Sequence, residues 1–160
     1  AQISSVLEDS NNRILSMALV HQNLYESQNF AQVNLADYVE ALLHSLLQSF
    51  GGRSGQVNTQ IQIPATAFVW LDQAVPCGLI LNELITNAFK HGFADPDRSG
   101  EIQITLTIEE RGSYALRVAN NGKPLPPGFS LEQSRRSLGM QLMLVLTEQL
   151  QGRLVLEQHA

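Results

Sequence analysis

The most informative stretch of this sequence is Asn82-Glu83-Leu84-Ile85-Thr86-Asn87-Ala88-Phe89-Lys90-His91. In a helix, which turns about 100° per residue, four polar side chains share a narrow arc: Glu83, Asn87, Lys90 and His91. A different arc is apolar and predicts the core side: Cys77, Leu81, Leu84, Ile85 and Ala88. An amide suits a hard cation, a lysine suits phosphate, and a carboxylate could orient or deprotonate a water. The polar arc therefore predicts a site for a metal-bound polyphosphate, with a solvated polar stripe as the alternative.

Two further motifs lie downstream. The segment from Val118 to Pro126 (Val-Ala-Asn-Asn-Gly-Lys-Pro-Leu-Pro) follows a strand-like run and predicts a turn. Ser137-Leu138-Gly139-Met140 then opens an apolar helix. In this order the three segments resemble the N box and the two glycine boxes of the GHKL superfamily, the ATP-binding domain shared by histidine kinases, DNA gyrase, the heat-shock chaperone ATPase and mismatch-repair ATPases.

The upstream sequence narrows this resemblance. One segment runs from Asn12 to Tyr25 (Asn-Arg-Ile-Leu-Ser-Met-Ala-Leu-Val-His-Gln-Asn-Leu-Tyr), and another from Val75 to Leu84 leads into the N box. Together they resemble the bacterial sensor histidine kinases of the HWE-like group, in which the second dimerisation helix runs into an Asn-Glu-Leu type N box. The resemblance covers nearly the whole chain.

The resemblance implies ATP and Mg²⁺ as ligands and gives each matching residue a role. Asn87 becomes the Mg²⁺ ligand, Glu83 the catalytic residue on the phosphate side, and Lys90 and His91 phosphate contacts. The other nucleotide-binding residues come from the glycine boxes and the lid between them: Asn120, Gly122, Arg136, Ser137, Leu138, Gly139 and Met140. Alternatives stay open, because Lys90 also suits the helix dipole, His91 could cap the helix, and Arg136 could be a solvated charge.

Two residues depart from the family pattern. Asn120 stands where the family usually has an aspartate that accepts a hydrogen bond from the adenine amino group. Loss of the charge would weaken that bond from about 1.5–3 to about 0.5–1.5 kcal/mol, which predicts ATP affinity about tenfold lower. Pro124 replaces the second glycine of the Asp-x-Gly-x-Gly pattern and fixes φ there. Both changes predict weak binding of ATP.

Periodicity predicts the organisation of the first half. A helix should run from about Gln2 to Glu26 with a coiled-coil seam of Ile3, Leu7, Ser10, Ile14, Met17, His21 and Leu24. A second helix, from Leu35 to Leu47, should end at Gly51-Gly52. Alternation then predicts a strand from Val57 up to Pro64 and a short one from Ala67 to Leu71.

The second half completes the fold prediction. Asp72 should cap the N-box helix, with Pro76 near its first turn and an end near Gly92. A hairpin should follow around Gly112, then a helix from Leu138 to Leu150 and a strand from Arg153 to Glu157. This order predicts an α+β fold, an α/β sandwich with a mixed sheet and helices on one face. The resemblance implies a Bergerat-type ATP-binding domain over residues 31–160, with part of the dimerisation hairpin at residues 1–30.

Composition limits the partners. The formal charge is −5 and no basic cluster occurs, which argues against nucleic acid or an anionic membrane as the main partner. The apolar runs are shorter than the roughly 20 residues of a membrane span. A single cysteine, Cys77, allows no disulfide framework, so we expect an inert thiol and a cytoplasmic location.

These observations predict the ATP-binding catalytic region of a two-component sensor histidine kinase. The resemblance implies a phosphoacceptor histidine on the preceding helix, outside this chain, because His21 belongs to the helix that pairs with it. It also implies an upstream sensor domain, a response-regulator receiver domain as partner, and a homodimer through the N-terminal helix. One alternative is a degenerate scaffold protein of the same fold. Another is a serine kinase of the anti-sigma type, which lacks the paired helix.

Overall fold

The computed structural model describes residues 2–26, 31–50, 57–93, 99–109, 112–131 and 137–158, with the side chains of the first helix described from Val6 to Gln22. The helices are α1 (Gln2–Glu26), α2 (Leu35–Phe50), α3 (Leu71–Asn87) and α4 (Leu138–Gln149). The strands are β1 (Gln32–Asn34), β2 (Val57–Gln62), β3 (Phe68–Trp70), β4 (Gly100–Ile108) and β5 (Tyr114–Asn120). A π-helical turn, Ala88–Gly92, extends α3. No described helix combines the length and apolar content needed to cross a bilayer.

Helix α1 has two different faces. The predicted seam points away from the rest of the chain, since Leu7, Ile14 and Met17 are 64%, 66% and 40% exposed. Its ends, Ile3 and Leu24, lie outside the described side chains. The opposite face is buried against the chain. The apolar seam is therefore available to another helix.

The predicted mixed sheet is confirmed. Strand β2 pairs in parallel with β4, and β4 pairs antiparallel with β5, from Ile102 opposite Asn120 to Ile108 opposite Tyr114. The hairpin turn lies where the sequence predicts it, with Gly112 at φ 77°, a conformation that favours glycine. A small second sheet, β1 with β3, was not predicted. Strand β1 has only three residues, too few for an alternating pattern to be recognised.

The main core lies where α2 and α3 meet one face of the three-stranded sheet. Ile102, Ile104 and Leu106 of β4 point inward, and Tyr38 and Phe89 are the largest fully buried side chains. A smaller apolar cluster joins α3 to α4: Leu79, Ile80, Met143 and Leu146. The sandwich prediction is therefore confirmed, with the helices packed on the inner face.

Tyr38 connects three helices. Its ring lies directly over Gly78 of α3, where any Cβ would collide with the Tyr38 hydroxyl. The same hydroxyl donates a hydrogen bond to the Ser16 carbonyl of α1 at 3.1 Å. Burial raises the pKa of Tyr38 above its ordinary value, so the hydroxyl stays protonated and able to donate. Gly78 therefore sets the distance between α2 and α3.

Helix α3 begins differently from the prediction, while its π-helical extension ends at Gly92 as predicted. It starts at Leu71, so Asp72 lies in the first turn rather than at the cap, and Pro76 lies inside the helix. The Gln73 side chain accepts a hydrogen bond from the Trp70 N–H at 3.3 Å. Gln73 therefore binds the backbone at the helix start, the role predicted for Asp72. Burial raises the pKa of Cys77 to about 11, so its thiol is neutral at pH 7, as expected for an inert cysteine.

The predicted strand from Arg153 to Glu157 is wrong. The described residues after α4 form no strand, and Val155 and Leu156, which neighbour each other in sequence, are 59% and 44% exposed. A strand requires a neighbouring strand to take its backbone hydrogen bonds. An alternating pattern over five residues does not show whether such a neighbouring strand is present.

Candidate functional site

The turn after β5 approaches the end of the N-box helix very closely. A Cβ on Gly122 would lie 2.6 Å from the Gly92 carbonyl oxygen and 2.7 Å from the Gly92 Cα. The N–H of Lys123 donates to that same carbonyl at 2.8 Å. Asn120 also reaches this point, since its Nδ2 would lie 2.9 Å from a Cβ on Gly92. Only glycine at position 122 allows the two backbones to approach in this way.

The start of α4 meets the same helix nine residues earlier, about two and a half turns away. A Cβ on Gly139 would collide with Oε2 of Glu83, so this carboxylate oxygen lies against the α4 backbone. The Ser137 hydroxyl accepts a hydrogen bond from the Met140 N–H at 3.3 Å and caps α4. The two segments downstream of the N box therefore converge on α3 at Gly92 and at Glu83.

Glu83 is almost fully buried, at 6% exposure. Its Oε1 accepts a hydrogen bond from Nε of Arg13 at 2.7 Å and a longer one from Nδ2 of Asn82 at 3.4 Å. The bond to Glu83 raises the pKa of Arg13 above its ordinary value, and burial opposes that shift. Both oxygens of Glu83 are thus in contact, one with α1 and the other with α4.

The π-helical turn changes the geometry of the other predicted residues. The N–H of Phe93 donates to the Ala88 carbonyl at 3.0 Å, five residues back, so the last turn is wider than an α-turn. Asn87, half-buried, is the last α-helical residue before it. Lys90 donates from Nζ to Oδ1 of Asp9 at 2.5 Å, while His91 is exposed. The four residues of the predicted arc therefore lie along one end of α3 but in different environments.

Family models match both parts of the chain. A histidine kinase model matches residues 1–50. The model of histidine kinase-, DNA gyrase B- and HSP90-like ATPases matches residues 72–160, more than half of the chain. The chain belongs to this ATPase family. The match spans α3 from Asp72, the hairpin and α4, and it confirms the predicted family.

Individual relatives agree with this assignment. The sensor histidine kinase PdtaS of Mycolicibacterium smegmatis is 33% identical over 154 residues, which are 92% of this chain and 29% of that protein. This chain thus spans less than a third of that relative. The histidine kinase domain of the blue-light activated histidine kinase EL346 of Erythrobacter litoralis has a similar fold, with a TM-score of 0.74 and 21% identity over 91% of this chain and 71% of that one. A second structure of EL346 gives a TM-score of 0.75, covering 90% of this chain and 42% of that one.

The donor groups at the end of α3 are consistent with the ligands of an ATPase of this family. The described residues contain no group of three or more His, Cys, Asp or Glu side chains that could hold a metal by themselves. A magnesium ion bound to phosphates needs few protein ligands, because it keeps waters and takes phosphate oxygens. The Asn87 amide provides one oxygen of the preferred type. The missing side chains at Gly122 and Gly139 let the two glycine-box segments pack directly against Gly92 and Glu83.

The other predicted nucleotide-binding residues have varied surroundings. Leu138 is 66% exposed, so it is accessible to a ligand. Met140 is half-buried and packs on the small cluster between α3 and α4. Arg136 lies outside the described residues. The structure therefore brings Glu83, Asn120, Gly122 and Gly139 together around α3, and it gives Met140 a packing contact as well.

Sequence reasoning missed Asp9 and Arg13, which pair with Lys90 and Glu83. They belong to a second stripe of α1 that also contains Asn12, Ser16 and Val20. The spacing of three and four residues along this stripe was a usable signal. Most of its side chains are polar, however, and a polar stripe on a helix ordinarily faces solvent.

Proposed function

We propose that this chain is the ATP-binding catalytic region of a two-component sensor histidine kinase, joined to the second helix of its dimerisation hairpin. It would transfer the γ-phosphoryl group of ATP to a histidine outside the chain, from which a response regulator receives it. The observation that carries the proposal is the convergence of the glycine-box segments on Gly92 and Glu83 of the N-box helix. A cytoplasmic location and an upstream sensor domain belong to the same proposal.

Each predicted residue has a task in this proposal. Asn87 would hold Mg²⁺, which neutralises charge on the phosphates when it is bound. Lys90 and His91 would contact phosphate oxygens, and Glu83 would act on the phosphate side. Asn120 and Gly122 would contact the adenine base. The start of α4, from Ser137 to Met140, would contact the phosphates through its backbone N–H groups. Acid-labile labelling from γ-labelled ATP, in a longer chain that includes the preceding helix, measures the transfer itself.

Asn120→Asp is expected to tighten Mg-ATP about tenfold, because a carboxylate accepts the hydrogen bond of the adenine amino group more strongly than an amide. Calorimetric titration of Mg-ATP into the wild-type chain and the variant measures the difference. Asn121→Asp is the matched control, since it changes the neighbouring amide in the same way, and no tightening is expected. If neither the wild-type chain nor Asn120→Asp binds Mg-ATP, the proposed function is wrong.

We also propose that the exposed seam of α1 pairs with a second copy of the chain. Leu7, Ile14 and Met17 form an apolar stripe that water would otherwise cover. Ile14→Gln is expected to shift the protein from dimer towards monomer in light scattering, because it places a polar group in the seam. Val145→Gln is the control, as Val145 is similarly exposed, at 62%, but lies on α4. A wild-type chain that stays monomeric at high concentration would contradict this prediction.

A further inference from the structure

The ion pairs that join α1 to the N-box helix lie beside buried polar residues on both helices. On α1, Asn12 is 6% exposed and Ser16 is fully buried, and Asp9 and Arg13 form the ion pairs. On α3, the buried polar residues are Asn82, Glu83 and Thr86. Asp9 pairs with Lys90, and Arg13, one turn later, pairs with Glu83 further back along α3. The two helices therefore cross in opposite directions, with the N-terminal half of α1 over the candidate site.

In the described part of the chain, two polar atoms of α3 are left without hydrogen-bond partners. Oδ1 of Asn82 and Oγ1 of Thr86 are buried and have no hydrogen-bond partner among the described residues. A buried polar atom without a partner costs free energy that contact with water would restore. Asn82 and Thr86 precede Lys90 at intervals of four residues, so they belong to the same side of the helix as the lysine that pairs with Asp9. We therefore expect α1 and α3 to separate here more readily than two helices that pack through an apolar core.

The two halves of α1 are held differently. Near residue 20 the helix is anchored by apolar packing, because Val20 is fully buried in the main core and Leu19 packs against it. Tyr38 adds a hydrogen bond to the Ser16 carbonyl. Towards Asp9, the helix is held by the two ion pairs, and the Asp9 and Lys90 side chains are both 31% exposed. The N-terminal half is therefore held mainly by charged contacts for which a phosphate group can compete.

Both ion pairs engage residues that the proposed function requires. Lys90 cannot give its full charge to a phosphate while Asp9 neutralises it at 2.5 Å. Glu83 has Oε1 bonded to Arg13 and Oε2 against Gly139, which fixes the carboxylate on both sides. We propose that the N-terminal half of α1 is an inhibitory clamp on the ATP site, and that nucleotide phosphates compete with Asp9 for Lys90. The clamp rests on the proposed function, since it regulates that same site.

Asp9→Asn tests the clamp in the full 160-residue chain. We expect the variant to bind Mg-ATP about fivefold more tightly, the size expected for release of a partly exposed ion pair. Adenosine affinity should not change, because adenosine has no phosphate to compete with Asp9. Glu8→Gln is the matched control, because it removes the same charge from the neighbouring exposed position of α1. If Asp9→Asn has no greater effect than Glu8→Gln, or tightens adenosine equally, the clamp is wrong.

A second measurement does not depend on nucleotide. Amide hydrogen exchange in residues 6–16 of α1 should be at least about threefold faster in the double variant Asp9→Asn/Arg13→Gln than in Glu8→Gln, because both ion pairs that hold this half are removed. Faster exchange without any binding of Mg-ATP would support the mobile contact while rejecting the proposed function. Unchanged exchange would reject the clamp, even if Mg-ATP binds.

Discussion

Gly78→Ala is expected to lower the melting temperature by about 10 °C, or about 3 kcal/mol in the free energy of unfolding for a chain of this length. The new methyl group would collide with the Tyr38 hydroxyl and lie 2.6 Å from Cζ of the same ring. Tyr38 is fully buried and its hydroxyl is bonded to Ser16, so the ring has no open space to enter. Alanine favours a helix over glycine by about 1 kcal/mol, which is too little to offset the collision.

Two further variants test whether the collision with Tyr38 causes this loss of stability. Gly152→Ala is the control, because its Cβ would lie an ordinary 3.6 Å from the Thr147 carbonyl oxygen. Tyr38→Phe removes the atom closest to the new methyl group. Gly78→Ala should therefore cost less stability in the Tyr38→Phe background than in the wild type, a coupling that thermal unfolding of the four proteins measures. A Gly78→Ala chain as stable as the wild type would show that α2 and α3 are not held apart by this contact.

Asn87→Ala is expected to reduce Mg²⁺-dependent ATP binding about 100-fold or more while leaving the fold intact. Changes to groups that only support a metal ligand cost about 10–100-fold in affinity, and Asn87 is proposed as the ligand itself. The residue is half-buried at the end of α3 and is not part of the main core. Calorimetry with and without Mg²⁺ measures the metal-dependent part of binding.

The stability of this variant separates a ligand from a structural residue. Asn58→Ala is the control, since Asn58 is an exposed amide on β2. Both variants should unfold within about 2 °C of the wild type, as surface substitutions usually do. An Asn87→Ala chain that unfolds at a much lower temperature would make Asn87 a structural residue. An Asn87→Ala chain that binds Mg-ATP as the wild type does would remove Asn87 from the metal site.

Local patterns were sufficient for most of the elements. The apolar arc of the N-box helix was correctly predicted at Leu81, Ile85 and Ala88, which are buried. The alternation of Ile102, Ile104 and Leu106 correctly predicted a half-buried strand. These predictions succeed because periods of two and of 3.6 residues depend only on side chains close together in sequence. The π-helical turn has no such period, so the placement of Lys90 and His91 could not be predicted.

The sequence by itself determined the family, the order of the elements and the identity of the polar residues along α3. Tertiary structure alone decided what those residues contact. The pair of Arg13 with Glu83 joins residues 70 apart, and the pair of Asp9 with Lys90 joins residues 81 apart. Both depend on the angle at which α1 crosses α3, which packing sets and which no local pattern records. For that reason a polar stripe that would ordinarily face solvent packs, partly buried, over the candidate site.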